Sequence, residues 1–366
     1  MALRFQGFNG RKRFVHVFSE GDGGLEIGHL ELGDIHRGER SKYDSHVHTT
    51  ASDGERSPEG LASEAFAGGS TVVVTDHFCL SGADAAAAEH SRLVEEYGGE
   101  CSGSGIVCGI EFSARVDLEG VRQIRKLHIL GVGVDTSNRR LNEWLLNYRR
   151  LRGMDIEHAL EVKCDLEGLG FRFHGNIVER LSCKRNVYQV LVESMFGNRE
   201  NHRLIERRYG LRIRHLASRH KRRHKNVQIR RKLVRFIRQD YGDFTASKPQ
   251  LAEIVDLIRG AGGLSVVAHP VTSVPQMPHF SVKKMTEVFM ELEAEGMDGV
   301  EAYTPRHRLE VADAIAKAAL DAGLLVTGGS DAHRFEQCVG VFASPVRGCF
   351  RGGSSVRKFQ PHGTMV

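Results

Sequence analysis

No stretch of this 366-residue chain approaches the ~18 consecutive apolar residues that a membrane-crossing helix requires, so no helical membrane span and no membrane partner are expected. No C-x-x-C pair occurs among the seven irregularly spaced cysteines. They are expected to be reduced thiols of a cytoplasmic protein, not a disulfide framework. The opening residues, MALRFQGFNGRKRF, lack an apolar run of secretory-signal length. A dinucleotide fingerprint is missing as well. Gly328-Gly329 ends a strand-like run and leads into SDAH, not into a phosphate-binding helix.

What is present suffices for a large packed core. Hydrophobic residues make up 40% and charged residues 27%, ordinary values for a soluble protein. The length allows one large α/β domain with an insertion, or two domains. From residue 41 the chain alternates strand-like and helix-like segments. Short apolar runs at 42–48, 71–76, 106–112, 127–134, 264–268, 298–303 and 324–330 have the form of buried parallel strands. Helices are expected at 57–67, 84–97, 248–260 and 307–322, the first opened by Ser57-Pro58, since proline loses nothing at a first helical position. This alternation predicts a seven-stranded (β/α) barrel and not an open doubly wound sheet. Residues 41–135 and 248–348 would form its two parts, separated by a mostly helical insertion at 136–247 between the fourth and fifth strands. Residues 1–40 are expected to be an extension, with RFVHVF and LEIGHLEL suggesting a hairpin, and the Gly/Ser-rich basic residues 349–366 a flexible tail.

Nine potential metal ligands lie near the ends of the strand-like segments: His46, His48, Asp53, His77, Glu111, His128, His269, Asp331 and His333. Ligands converging from many strand ends mark a catalytic centre on the open face of a barrel. Imidazole mixed with carboxylate, without thiolate, suits Zn, Mn or Fe in hydrolysis. His46 and His48 share a face of their strand, as i and i+2 residues do, and Asp331 and His333 repeat that spacing. Taken singly, His128 would serve as a satisfied core histidine and His77 as a cap or surface residue. Packing alone does not explain so many costly polar groups at the ends of six apolar segments. Asp44 and Asp76, beside the ligands, either orient imidazoles or cap turns. Cys79 reads as a small buried apolar residue, and His90, His158, His174, His215, His220 and His224 as solvated surface.

The motifs DSHVHTTASDG, VVTDH, GIEFSA, LHILG, VVAHP, GVEAYTPRH and GGSDAH resemble those of the polymerase and histidinol phosphatase (PHP) family, from residue 42 to about 345 with the insertion as an interruption. The resemblance implies a distorted TIM-like (β/α)7 barrel holding two to three divalent ions (Mn, Fe, Zn or Mg). It assigns the first ion to His46, His48, Glu111 and Asp331, the second to Glu111, His128 and His269, and the third to Asp53, His77 and His333. The implied reaction is phosphoester hydrolysis by a hydroxide bridging two ions, with Glu111 and Asp331 as its central residues.

Within the family, the insertion resembles that of the branch of nucleoside 3′,5′-bisphosphate phosphatases and 5′-to-3′ exoribonucleases. That branch opens an insertion helix with T-R-x-H-[FI]-A. The matching stretch, Lys184-Arg185-Asn186-Val187-Tyr188-Gln189, keeps the arginine, which implies that Arg185 binds phosphate. Arg306 and His307, in YTPRHR, could hold a second phosphate or serve the leaving group, or merely start a helix. Residues 199–238 carry 16 Lys/Arg against 2 Glu and no Asp, so the rest of the chain has a balance of −9. This predicts a surface tracking single-stranded RNA or DNA, the alternatives being a solvated helix face or an acidic protein partner. The leading expectation is a metal-dependent phosphoesterase acting on a nucleotide or a 5′-phosphorylated oligonucleotide. Its competitors are a small-metabolite phosphatase such as histidinol phosphatase, and a nucleic-acid-binding module with an inactive metal centre.

Overall fold

The computed structural model describes residues 14–21, 24–31, 43–97, 104–116, 126–178, 187–213, 219–242, 249–337 and 339, with 14–21, 24–31 and 219–225 described by backbone alone. The chain divides into two compact units, Met1–Leu141 with Pro249–Val366, and Asn142–Lys248.

The first unit opens with β1 (Phe14–Gly21) and β2 (Gly24–Glu31), paired antiparallel as the hairpin expected there. Next come β3 (Tyr43–Val47), α1 (Pro58–Gly68), β4 (Thr71–Val74), α2 (Ser81–Tyr97), β5 (Gly105–Ala114) and β6 (Leu127–Val132). The start signal of α1 is present in detail: the Ser57 side chain accepts from Gly60 N and proline fills the first turn. A helix α3 (Arg139–Gly168) then carries the chain into the second unit.

The second unit continues with α4 (Val187–Gly197), α5 (Asn201–Tyr209) and α6 (Arg219–Tyr241). It has its own apolar core, in which Val162 and Leu166 of α3 meet Tyr188, Leu191 and Met195 of α4, Ile205 of α5, and Ile229, Leu233 and Ile237 of α6. Buried Asn201 ties this core together, with hydrogen bonds to Arg172 N and to the carbonyls of Arg172 and Met195.

Back in the first unit follow α7 (Leu251–Gly260), β7 (Leu264–Ala268), α8 (Pro270–Ser273), α9 (Val282–Ala294), β8 (Gly299–Tyr303), α10 (Leu309–Asp321) and β9 (Leu325–Gly328). Strands β3 to β9 form one curled seven-stranded sheet in sequence order. Its first and last strands meet at their ends through a Val47–Ala332 bridge and an Asp331 N to His46 O hydrogen bond of 2.8 Å. This is the expected distorted TIM-like arrangement, with one correction. The strands are not all parallel, because β6 pairs antiparallel with both β5 and β7. No helix separates β5 from β6 among the described residues, so the chain returns beside its own strand instead of crossing over. Helix α9 was not among the expected helices either, although Ser281 caps it and Met285, Val288, Phe289 and Leu292 form its buried stripe.

Candidate metal centre

All nine expected ligands come together at one mouth of the sheet. His46 is the penultimate residue of β3 and His48 follows the strand's end, on the same side of the chain. His77 lies just past β4 and bridges to Glu111 of β5, while His269 and Asp331 follow β7 and β9. His128 lies at the start of its strand, not the end. The reversal of β6 brings that start to the same mouth, with His128 in register with Ala268 and Ser113.

Their ligand atoms form four overlapping groups: His46–His48–Glu111, His46–His269–Asp331, Glu111–His128–His269, and His48–Asp53–His77–His333. His46 Nε2 and His48 Nε2 face each other at 3.1 Å. Asp331 Oδ1 is 3.5 Å from the former and 3.4 Å from the latter, and Glu111 Oε2 is 3.4 Å from His48 Nε2. Donors bound to one ion at about 2.0–2.1 Å in a tetrahedron lie about 3.3 Å from one another, so the spacing fits a shared cation. Glu111 addresses two groups at once: Oε2 faces His46, His48 and His77, and Oε1 faces His128 and His269. On the outer side Asp53 lies 3.5 Å from both His77 Nε2 and His333 Nε2, and His48 joins this group through Nδ1, 3.7 Å away.

Two further observations mark the same place. Buried His48 Nδ1, His77 Nδ1, His128 Nδ1, His269 Nδ1 and both Glu111 carboxylate oxygens make no hydrogen bond of good geometry among the described residues. A buried polar atom in that condition costs stability, and lone pairs that converge on one another are what a cation satisfies. In addition, the non-glycine residues with positive φ among the described residues are Phe78 (51°), His269 (28°) and Asp331 (50°). Two are candidate ligands and the third follows one. Strained backbone of this kind concentrates at functional sites.

The electrostatics favour added positive charge at the centre. Burial alone would push His46 down, but Glu301, then Asp331 and Glu111, outweigh it and hold the imidazole well above its usual range. Burial favours a neutral Glu111, yet His128 and His46 hold this carboxyl well below the usual carboxylate range. Asp331 is also held low against burial, by His46, His48, His269 and Arg306. His269 goes the other way, pushed down to about 3 by burial and then by the charge of His46. Its imidazole is thus neutral at ordinary pH.

Sequence reasoning missed Glu301. This fully buried carboxylate in β8 has Oε1 3.1 Å from His46 Nδ1, while Oε2 accepts from His269 N at 2.7 Å. It therefore fixes the ring of one candidate ligand, His46, and the strained backbone of another, His269. The available signal was a glutamate in the middle of the apolar run GVEAY. Asp44 and Asp76 brace the turns beside the cluster. Asp44 accepts from His46 N and Ser330 N, tying β3 to the end of β9, and Asp76 accepts from Thr49 N, Thr49 Oγ1 and Ser52 Oγ in the turn before Asp53.

Arg306 reaches the cluster, its Nε donating to Asp331 Oδ2 while the side chain stays half exposed. His307 is buried, with Nδ1 2.7 Å from Ala302 O, and burial pushes its pKa down. Cys79 is half-buried and faces Ser81 Oγ. Of the histidines read as solvated, His174 is exposed, while His90 and His158 are half-buried and bonded to Ser104 and Tyr241 O. Arg185, His215, the side chains of His220 and His224, and the tail 349–366 lie outside the described residues.

No family model matches the chain. It is 25% identical over 297 residues to a 5′-3′ exoribonuclease of Haemophilus influenzae, covering 80% of this chain and 90% of the relative. It is 25% identical over 309 residues to a 3′,5′-nucleoside bisphosphate phosphatase of Chromobacterium violaceum, covering 80% and 87%. Among solved structures, an amidohydrolase from Chromobacterium violaceum with bound sulfate and no metal superposes with a TM-score of 0.51 at 22% identity, covering 83% of this chain and 93% of that one. A protein described as a metal-dependent phosphoesterase from Bifidobacterium adolescentis gives a TM-score of 0.50 at 22% identity, with the same coverage. These two support the fold.

Proposed function

We propose that the chain is a metal-dependent phosphoesterase of the PHP type that hydrolyses phosphate esters of nucleotides or 5′-phosphorylated oligonucleotides. The observation that carries this reading is the convergence of nine imidazole and carboxylate ligands in overlapping groups around Glu111. The similarity to a named exoribonuclease and a named bisphosphate phosphatase supports phosphate esters as the substrate class. Among the described residues no helix is long and apolar enough to cross a membrane.

The residues that would hold cations are His46, His48, Glu111 and Asp331 at one position, Glu111, His128 and His269 at a second, and Asp53, His77 and His333 at a third. Divalent ions, when bound there, supply hydroxide near neutral pH and draw charge from the phosphoryl oxygens. The chain supplies the rest. Glu111, held ionised, turns one oxygen to each of two ligand groups. Glu301 orients His46 so that Nε2, not Nδ1, faces the cluster. Arg306, whose other guanidinium donors have no partner among the described residues beyond the Nε bond to Asp331, can grip a substrate phosphate, as Arg185 would in the branch resemblance. His307, neutral near pH 7, is suited to accept a proton or a hydrogen bond through Nε2.

The test is phosphate release by the purified protein with Mn²⁺ or with EDTA. Substrates are adenosine 3′,5′-bisphosphate, a 5′-phosphorylated RNA oligomer and histidinol phosphate, with His46→Ala as control. Mn-dependent release from a nucleotide substrate, abolished in the variant, is expected. Release only from histidinol phosphate would move the protein to small-metabolite chemistry. Bound metal without release from any of the three would refute the phosphoesterase reading.

A further inference from the structure

The second unit presents a helix face of single charge. In α6, Ile229, Leu233 and Ile237 recur at i, i+4 and i+8 and are buried in that unit's core. The exposed residues Arg231, Arg235 and Arg238 therefore fall on the opposite side of the helix, with Lys232 beside them. Arg231 and Arg235 stand about 6 Å apart along the axis. In α5, Arg203 and Arg207 form another exposed i, i+4 pair, and Arg212 follows just beyond.

Not all these cations are available. Arg208 pairs with Asp240 at 3.4 Å and lies over the Tyr209 ring, and Arg238 lies over the Tyr188 ring. By contrast, Arg203, Arg207, Arg212, Arg231, Lys232 and Arg235 make no ion pair among the described residues. Like charges at i, i+4 destabilise a helix, and an ordinary solvated face intersperses both signs. Here the core-facing residues of α6 account for folding, and the arginine stripe works against it. Thirteen of the 16 cations in 199–238 are arginines, whose planar fork suits phosphate oxygens better than a lysine ammonium does.

We infer that the exposed basic stripes of α5 and α6 bind the phosphodiester backbone of a nucleic acid, independently of base sequence. This binding surface lies on residues separate from the metal ligands. It rests on the phosphoesterase reading only for its purpose, which is to retain an oligonucleotide substrate. The binding itself needs no turnover.

The experiment is fluorescence anisotropy with a labelled single-stranded RNA, its DNA equivalent and a duplex, on the full chain in EDTA from 50 to 200 mM salt. Variants are R231Q/K232Q/R235Q and, separately, R203Q/R207Q. Circular dichroism and the melting temperature verify folding, and these exposed side chains are dispensable for the core. Wild-type binding should weaken steeply with salt. For a single strand, the slope of log K against log salt should fall by about 0.7 for each contact removed, or about 2 for the triple variant. Release of phosphate from adenosine 3′,5′-bisphosphate should not change. The RNA, DNA and duplex arms identify which backbone fits best, and preferred binding to any of them supports the surface. Unchanged affinity and slope in both folded variants would overturn the inference. So would equal binding to polyglutamate, which would assign the stripes to an acidic protein. A loss of bisphosphate turnover without loss of RNA binding would count against the inference while leaving the catalytic reading intact.

Discussion

Replacing Glu301 by glutamine tests the metal centre without touching a ligand. Glutamine keeps the shape of the side chain but has one acceptor oxygen where the carboxylate has two. That oxygen must stay on His269 N, because a backbone N–H can only donate, and the native contact is 2.7 Å. The amide NH₂ then faces His46 Nδ1, now 3.1 Å from the other carboxylate oxygen. Nδ1 must accept, so the ring proton moves to Nε2. That nitrogen lies 3.5 Å from Asp331 and 3.1 Å from His48 Nε2, and a proton there blocks it as a ligand. A hydrogen bond to a charged group is worth about 1.5–3 kcal/mol. Carboxylates that orient ligating histidines typically affect metal affinity or activity about 10–100-fold, which agrees. The assay is Mn²⁺ affinity by chelator competition, alongside kcat for the best phosphate ester and the melting temperature in EDTA. The expected variant melts near wild type in EDTA, since it removes a buried charge, yet binds Mn²⁺ at least tenfold more weakly. Mn²⁺ affinity within twofold of wild type would refute the argument. So would a large drop in melting temperature at unchanged affinity, because that would make Glu301 a purely structural residue.

Other outcomes follow from the same geometry. Mn²⁺ at 100 times its Kd should stabilise the first unit by about 2.7 kcal/mol, raising its melting temperature by roughly 5–10 °C over EDTA, and His46→Ala should abolish that difference. Gly329→Ala should lose most activity and metal affinity, because a Cβ there would lie 2.5 Å from His46 Cβ and 2.7 Å from Glu301 Oε1. Metal titration of that variant by calorimetry verifies it. Arg56 is buried and donates to the carbonyls of Arg334 (2.7 Å), Phe335 (3.1 Å) and Gln337 (2.7 Å), just past His333. Arg56→Met should destabilise the fold by about 2–4 kcal/mol in urea titrations.

The seven strands of the sheet were legible because each is a short apolar run, and a run of that kind is hard to place anywhere but a buried sheet. Strand direction was not legible. The residues of β6 read the same whether they run up or down, and only the length of the connection from β5 bears on the choice. The clustered residues were legible for a related reason: His46-Val47-His48 and Asp331-Ala332-His333 put costly groups at the ends of apolar runs. His128 was found by its neighbours' pattern although it opens its strand, and the reversal of β6 explains why it still belongs. Glu301 stayed hidden because it lies mid-strand, and nothing in GVEAY tells that its carboxylate meets His46 across the sheet. Helix α9 carried its signal in plain view, a serine cap followed by apolar residues at 285, 288, 289 and 292.

Among the described residues, the costs of this fold gather at one place. The positive-φ residues Phe78, His269 and Asp331, the unsatisfied nitrogens of four histidines, both oxygens of buried Glu111, and the burial of Glu301 all lie around the same mouth. Each alone is of the order of 1–3 kcal/mol. Together they equal a large share of the roughly 5–15 kcal/mol by which a domain is stable. The supports are local too: Asp331 N donates to His46 O, and His269 N donates to Glu301. Such a site is held open by the sheet for something that repays the lone pairs, which is why cation binding and fold stability should move together in the first unit. The second unit has its own apolar core and none of these defects among its described residues, so its unfolding should be indifferent to Mn²⁺.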